Sequence, residues 1–445
     1  MKITLPPKVN QIIRTIRSAD FDAYAVGGCI RDSVLGRMPN DWDITTSAKP
    51  EEIKSLFPKT IDTGIQHGTV TVMLQKEGFE ITTYRIDGEY EDSRHPKEVT
   101  FTASLEEDLK RRDFTINAMA YNEEEGLIDI FGGMEDIENK VIRCVGEAAE
   151  RFSEDALRMM RAVRFSAQLG YTIEEKTKAA MKELAPTLQK ISAERIQAEL
   201  VKLVSSPNPD YLRIAYETGV THEVLPEFDR MMQTAQNNPH HCYCVGEHTL
   251  QAMKQIKADK VLRLAMLFHD IAKPETLTVD EEGIYHFHGH PETGAAMTKE
   301  IMKRLKFDND TVGKVTALVR FHDYHISPTP QGMRRAIYKI GEDIMPYLFL
   351  VKQADMLAQS SYKREEKQKT LDCLQEIYEK VLEEKDCVSL KMLAVTGNDL
   401  IASGMKPGKE IGELLNRLLQ LVIEKPACNE KEYLLKQAEE IRSLN

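Results

Sequence analysis

The 445-residue sequence contains no run of eighteen or more apolar residues, so a membrane-spanning helix is not expected. Its opening stretch, MKITLPPKVNQIIRTIRSAD, has no apolar core and no small-residue cleavage site, so no secretory signal is expected there. Cysteine is sparse and odd in number, seven in all and without framework spacing, which points to a reducing cytoplasm. Cys242 and Cys244 lie among histidines in HHCYCVGEH. Their spacing fits no common zinc pattern, and they read as free thiols. Excess positive charge is also missing, the formal net charge being −12. That argues against non-specific nucleic-acid binding but leaves room for an RNA held by a local basic surface. What is present is 42% hydrophobic and 29% charged, enough for well-formed cores and roughly two to four domains.

Along the chain, AYAVGG reads as a short buried strand ending in a glycine turn, and CIRDSVLG as a helix. DWDITT and TVTVML read as strands, and FEITTYRID alternates with period two. After Ile142 the strand signals fade and apolar residues recur at helical spacing. The expectation is an α/β head, a mixed sheet with helices, followed by all-α segments. Breaks fall near SSPNPD (205–210), NNPHH (237–241) and the charged KREEKQK stretch (363–369), which reads as a solvated helix face.

The segment GGCIRDSVLGRMPNDWDI (27–44) raises a chemical question. In a strand, residues two apart share a face, so Asp41 and Asp43 would project together. Two close carboxylates repel unless a cation lies between them. Mg²⁺ suits such a pair because it takes oxygen ligands and leaves positions open for substrate phosphates. Gly27 and Gly28 offer a tight turn where backbone N–H groups approach a phosphate, and Arg31 adds a charged fork. Downstream, RRDFTINAMAYN (111–122) begins with basic residues suited to a triphosphate, and Asp113 and Asn117 are placed to meet a ribose hydroxyl. Then follow IDIFGGMEDIENKVIR, ERFSEDALRMMRAVRFSAQLG and ISAERIQAELVKL.

In that order, across roughly residues 20–205, these motifs resemble the class II tRNA nucleotidyltransferases, the bacterial-type CCA-adding enzymes and their poly(A) polymerase relatives. The resemblance implies a nucleotidyltransferase head over 1–142 and a helical neck over 143–236 that reads nucleotides and binds RNA. It makes Asp41 and Asp43 the catalytic metal ligands, with Mg²⁺. Gly28, Arg31 and Arg112 would contact the incoming nucleotide. Glu154-Asp155-Ala156-Leu157-Arg158 matches the nucleotide-reading motif, continued by Arg161 and Arg164. The partners implied are tRNA, CTP and ATP, in the cytoplasm and away from any membrane.

The reading block has a chemical logic of its own. On one helix, Asp155 and Arg158 would share a face, beside an apolar stripe of Ala156, Met159, Met160 and Val163. Aspartate accepts and arginine donates. Cytosine and adenine both present an amine beside a ring-nitrogen acceptor, whereas uracil and guanine present a carbonyl. An acceptor–donor pair thus admits C and A without a nucleic-acid template. A surface salt bridge is the plainer reading, and the flanking motifs weigh against it. In ISAERIQAEL, Ser192 is placed as an N-cap, Arg195 and Glu199 as an i,i+4 pair, and Ile196, Leu200, Leu203 and Val204 as a buried stripe.

Three activities remain open within the resemblance: adding CCA, adding only part of it, or adding poly(A). TGIQHGTVTV (63–72) is similar to the CCA type and lacks the arginine-rich segment of poly(A) polymerases. EYEDSRHPKEVTF (89–101) resembles the loop that full CCA-adding enzymes need to switch from C to A.

A second constellation follows. His248 precedes LAMLFHDIAKP with His269 and Asp270. Then come HFHGHPETGA with His288 and His290, RFHDYH with His322, and KQADMLAQS with Asp355. Seven of the twelve histidines lie between 240 and 290, a density that favours ligation over scattered core histidines. The order resembles the HD metal-dependent phosphohydrolases, over 237–365. It implies His248, His269, Asp270 and Asp355 as metal ligands, with His290 and His322 serving a second divalent transition metal. A rival overall reading is therefore an HD phosphohydrolase acting on RNA ends. The remainder, 366–445, resembles the helical tail of Gram-positive-type CCA-adding enzymes. Its turn GMKPG (404–408) reads either as a clamp on tRNA or as an ordinary helix–turn–helix. Lys110, Arg111, Arg143 and Arg151 are alternative sources of a basic surface.

Overall fold

The computed structural model describes residues 1–87, 99–237 and 242–443. Its contacts divide the chain into two compact units, Met1–Asp229 and Arg230–Asn445. The helices that follow the head, up to Asp229, thus pack with it in one unit.

The first unit opens with helix α1 (Pro7–Arg17), which starts on a proline and buries Val9, Ile12, Ile13 and Ile16. Their i, i+3, i+4, i+7 spacing puts all four on one face, each contributing about 1.5–3 kcal/mol by leaving water. Nine strands follow within the head: β1 (Ala23–Val26), β2 (Ile44–Thr46), β3 (Thr60–Gly64), β4 (Thr69–Leu74), β5 (Glu77–Thr83), β6 (Arg85–Asp87), β7 (Val99–Phe101), β8 (Met119–Asn122) and β9 (Gly126–Asp129). Seven of them make one sheet in the order β3-β4-β5-β2-β1-β8-β9. Only β2 and β5 pair in parallel, so the sheet is mixed. Strand β1 is buried at every residue, which is why AYAV is continuously apolar instead of alternating. Helices α2 (Gly28–Val34), α3 (Pro50–Leu56), α4 (Leu105–Lys110) and α5 (Gly133–Asn139) complete the head. Most of the loop read at 89–101 lies outside the described residues.

Beyond the head come α6 (Ala148–Glu154), α7 (Leu157–Leu169), α8 (Glu175–Leu184), α9 (Ala193–Val204), α10 (Leu212–Glu217), α11 (Val220–Val224) and α12 (Pro226–Gln233). One departure from all-helix is a parallel pair, β10 (Val141–Ile142) with β11 (Thr172–Ile173). Helix α7 buries residues nearly all round, including Ala162, Val163 and Phe165 as well as Arg158 and Arg164. Ser192 does occupy the N-cap of α9, but its side chain makes no capping bond.

In the second unit, α13 (Val245–Gln255), α14 (Lys260–Phe268), α15 (Lys273–Thr276), α16 (His290–Arg304), α17 (Asn309–Phe321), α18 (Pro330–Ile340) and α19 (Met345–Ala358) form a bundle, with a small hairpin of β12 (Thr278–Val279) and β13 (Tyr285–His286). Asp259 caps α14 by accepting from the Val261 and Leu262 amides at 2.9 and 3.0 Å. Asp308 caps α17 through the Thr311 amide at 2.8 Å. The chain ends in α20 (Arg364–Glu383), α21 (Gly397–Ala402), α22 (Lys409–Glu424) and α23 (Lys431–Ser443). The last three share a core of Leu400, Leu414, Leu418, Val422 and Leu434. GMKPG is the turn between α21 and α22, with Met405 buried and Lys406 exposed. No helix among the described residues is long and apolar enough to cross a membrane.

Candidate active site

Strand β1 ends at Val26, and the chain turns at Gly27 with φ of 85°, a backbone that costs any other L-residue about 1–2 kcal/mol. A Cβ at Gly27 would stand 3.1 Å from an Arg112 guanidinium nitrogen. Glycine is thus required by conformation, and a Cβ there would also push the end of that arginine aside by a few tenths of an ångström.

Asp41 and Asp43 are not inside a strand. Regular pairing begins at Ile44, opposite Ala25, and only the Asp43 carbonyl extends it by accepting from the Val26 amide at 3.0 Å. The period-two argument therefore does not apply to them. They nevertheless sit close enough to interact. Asp43 keeps solvent contact, yet surrounding protein raises its carboxyl above the usual range; Arg112 draws it back and the Asp41 charge raises it further. Both carboxylates line a cavity of about 1370 Å³.

Behind this pair lies an aspartate that sequence reasoning overlooked. Asp108 is fully buried and accepts from Arg111 Nε and Nη2 at 2.9 and 2.7 Å, Arg112 Nη2 at 3.3 Å and Thr45 Oγ1 at 3.0 Å. Burial raises its pKa, but the two guanidiniums outweigh that and leave it lowered. Thr45 lies two residues beyond Asp43, so Asp108 ties the arginines to the strand that carries the pair. The signal was present in LEEDLKRRD, where Asp108, Arg111 and Arg112 have helical i, i+3, i+4 spacing.

The other expected nucleotide contacts form a buried polar chain. Arg31 donates to Asp32 at 2.9 Å and to the Asn117 side-chain carbonyl at 2.7 Å. Asn117 in turn donates to Asp113 at 3.1 Å. Arg161 grips the second Asp113 oxygen through two nitrogens at 2.8 and 2.6 Å. Burial pushes the Asp113 carboxyl up, but Arg161 and Asn117 overcome this and hold it at about 2. Arg164 bonds Glu199 at 2.5 Å. The guanidiniums of Arg31, Arg161 and Arg164 lie 5.0, 5.3 and 3.8 Å from the centre of the Phe165 ring. Asp113 and Asn117, read as ribose contacts, are thus engaged with each other and with arginines.

The reading pair differs in its local geometry. Asp155 and Arg158 do not share a helix face, because the helix breaks between them. Asp155 closes α6 with extended angles (φ −143°, ψ 101°) and receives the Leu157 amide at 3.1 Å as α7 begins. Its carboxylate is held by Arg195 at 3.2 and 2.7 Å. Glu199, the expected partner of Arg195, is taken by Arg164. Arg158 is buried and donates to Glu154 at 2.5 Å and to the carbonyls of Arg151 and Arg111 at 3.1 and 2.9 Å. Acceptor and donor are thus each fixed by their own partners. The suggested basic surface is also engaged: Arg143 pairs with Asp136 and Glu174, and Arg151 with Glu154.

The second unit brings its histidines together. Within the described residues, His248, His269 and Asp270 form one potential metal-holding group, and Asp270, His290 and His322 another, so Asp270 belongs to both. His248 Nε2 lies 2.8 Å from Asp355, and His269 Nε2 lies 3.2 Å from one Asp270 oxygen. The other Asp270 oxygen is 3.5 and 3.7 Å from His290 and His322. His269, His290 and His322 each donate Nδ1–H to a backbone carbonyl, of Met266, Phe287 and Val319, at 2.7, 2.8 and 2.7 Å. That bond orients each ring so that its Nε2 faces the cluster, the orientation typical of metal-ligating histidine. Lys273, which follows in the same stretch, places its ammonium 2.8 Å from Asp270. Against burial, the His269 charge and Lys273 hold the Asp270 carboxyl well below its ordinary value. Cys242 and Cys244 are free thiols, and Cys244 Sγ accepts from the Glu247 amide.

Comparison with known proteins assigns both units. Residues 23–143 match the poly A polymerase head domain, residues 170–232 the "Probable RNA and SrmB-binding site of polymerase A", and residues 276–438 tRNA nucleotidyltransferase domain 2. The CCA-adding enzyme of Lactobacillus helveticus is 36% identical over 435 residues, covering 98% of this chain and 97% of that protein. That of Enterococcus faecalis is 35% identical over 452 residues, covering 100% and 99%. The crystal structure of the Bacillus stearothermophilus CCA-adding enzyme in complex with CTP superposes with a TM-score of 0.72 at 30% identity, over 99% of this chain and 100% of that one. With identity above a third along the whole chain and the mixed sheet and helices superposed end to end, the protein belongs to the bacterial-type CCA-adding enzymes.

Proposed function

We propose that this protein adds C, C and A in turn to the 3′ end of tRNA, from CTP and ATP and with release of pyrophosphate, in the cytoplasm. The observation that carries the reading is the meeting of Asp41, Asp43 and Arg112 at the Gly27 turn. The carboxylate donors there are all oxygen, and burial together with the neighbouring Asp41 charge raises the Asp43 carboxyl, a charge repulsion that a bound divalent cation relieves. This fits Mg²⁺, which would neutralise charge and lower the pKa of the attacking 3′-hydroxyl. Gly27 and Gly28 let the backbone approach the phosphates, and Arg112, braced by Asp108, lies against that turn. Asp155, held by Arg195, supplies the acceptor for the base edge, and Arg158 the donor. Catalysis here is positioning plus charge neutralisation.

The test is to incubate the protein with end-shortened tRNA and each nucleotide singly, then with both. Stepwise products ending after CCA support the reading; A-only products or long poly(A) overturn it. Asp41→Ala and Asp43→Ala are each expected to abolish addition while tRNA still binds.

The second unit supports a further role as a divalent-metal phosphohydrolase acting on RNA ends or cyclic phosphates. The three imidazoles held with Nε2 toward Asp270 favour it, and Lys273 competes with any metal for the same carboxylate. Metal analysis after equilibration with Mn²⁺ or Ni²⁺ should show a stoichiometric ion that is lost in His269→Ala. Wild-type protein that retains no ion rules the role out.

A further inference from the structure

The two groups that meet at Asp270 are not equivalent. The first, His248, His269 and Asp270, has a second carboxylate against it. One Asp355 oxygen lies 2.8 Å from His248 Nε2 and 3.8 Å from His269 Nε2. The second group gathers His290 and His322 around the other Asp270 oxygen. Two carboxylates attract a divalent cation more strongly than one. The direction in which Asp355 faces therefore bears on which group holds an ion first.

Asp355 is held from behind. Gln359 follows it by one helical turn, at the end of α19, and donates its side-chain amide to both Asp355 oxygens at 3.3 and 3.2 Å. The amide's own direction is set by Lys367 of α20, whose ammonium donates to Gln359 Oε1 at 2.5 Å. A carboxamide has a donor end and an acceptor end. Lysine only donates and an ionised carboxylate only accepts, so the reverse orientation would set donor against donor and acceptor against acceptor. The Gln359 backbone carbonyl accepts from Arg364 at 2.5 Å, which ties the residue to the start of α20 as well.

The arrangement differs in kind from that at Asp270. There Lys273 touches the carboxylate directly, and its charge opposes that of an incoming ion. At Asp355 the lysine is kept one residue back. The neutral amide steers the carboxylate without cancelling its charge. We propose that Gln359 is a positioning residue of the second unit's metal site: it aims Asp355 at His248 and keeps the Lys367 ammonium off that carboxylate, so that the first divalent ion settles in the His248–His269–Asp270 group. The proposal rests on the reading of this cluster as a metal site.

The full-length protein is titrated with Ni²⁺ in excess Mg²⁺, and bound ion is counted by equilibrium dialysis. Mg²⁺ takes the all-oxygen pair Asp41 and Asp43, while imidazole selects Ni²⁺. The tighter ion should vanish in His269→Ala and persist in His290→Ala. Gln359→Ala should weaken it about 10- to 100-fold, the scale of loss when a metal ligand loses its supporting hydrogen bond. Lys367→Met alone should change it by less than about fivefold, the scale of a partly exposed charge. Adding Lys367→Met to Gln359→Ala should recover most of the lost affinity, because no ammonium is then free to move onto Asp355. A merely structural defect would not be repaired by a second truncation, and circular dichroism checks that each variant folds. Gln359→Ala that binds Ni²⁺ as tightly as wild type overturns the proposal. So does a double variant no tighter than Gln359→Ala, or a tighter ion that is lost in His290→Ala and kept in His269→Ala. Wild-type protein that binds no Ni²⁺ sinks the metal reading itself, and the proposal with it.

Discussion

Replacing Asp113 by asparagine removes one negative charge from the centre of the Arg31–Asn117–Asp113–Arg161 chain while keeping its shape. The native surroundings lower this carboxyl from 3.8 to about 2. At about 1.36 kcal/mol per pH unit, that preference for the charged form is worth about 2 kcal/mol of stability. A lowered folded-state pKa gives stability that is fully present above the unfolded value and is lost as pH falls through the folded one. The stability gap between wild type and Asp113→Asn should therefore be about 2 kcal/mol and flat from about pH 8 to pH 5, then close between about pH 4 and pH 2. Urea unfolding followed by Trp42 fluorescence isolates the transition of the first unit, since Trp42 lies within Met1–Asp229. A gap below about 0.5 kcal/mol at pH 7, or one that widens on acidification, would refute the claim that Arg161 and Asn117 outweigh the burial of this carboxyl.

Asp108→Asn should destabilise the first unit by about 3 kcal/mol, because two guanidiniums lose a buried partner. It should also raise KM for CTP by freeing Arg112, measured by urea unfolding and steady-state kinetics. Gly27→Ala forces φ of 85° on a residue with a Cβ and displaces Arg112; kcat/KM should fall at least about tenfold with the circular dichroism spectrum unchanged. Arg158→Ala should blunt nucleotide choice more than it slows addition, read as UTP incorporation against CTP; retained selectivity would overturn the reading role of Arg158.

The physical record in the sequence was uneven. Strands β1 and β4 were legible because a run of apolar or alternating residues admits few other solutions, and the same holds for the buried stripe of α9. The family was legible because its motifs come in fixed order with fixed chemistry. The histidines of the second unit could be named from their order along the chain, and the structure brings His248, His269 and Asp270, and likewise Asp270, His290 and His322, into contact groups. What failed were statements about which charged group faces which. Arg195 was paired with Glu199 by helical spacing, yet it binds Asp155 forty residues away. Asp155 and Arg158 were placed on one helix face, yet the helix breaks at Asp155.

Local spacing determines which residues can be neighbours on one element, and here it determined most of the elements and their apolar faces. Only the tertiary structure decided the ion-pair partners. A buried carboxylate takes whichever guanidinium the packing of distant elements brings within 3 Å or so, and desolvation makes that choice worth more than any exposed i,i+4 contact. The cavity beside Asp41 and Asp43 is of the same kind, because it is lined by the N-terminal segment as well as by the turn that carries the two aspartates.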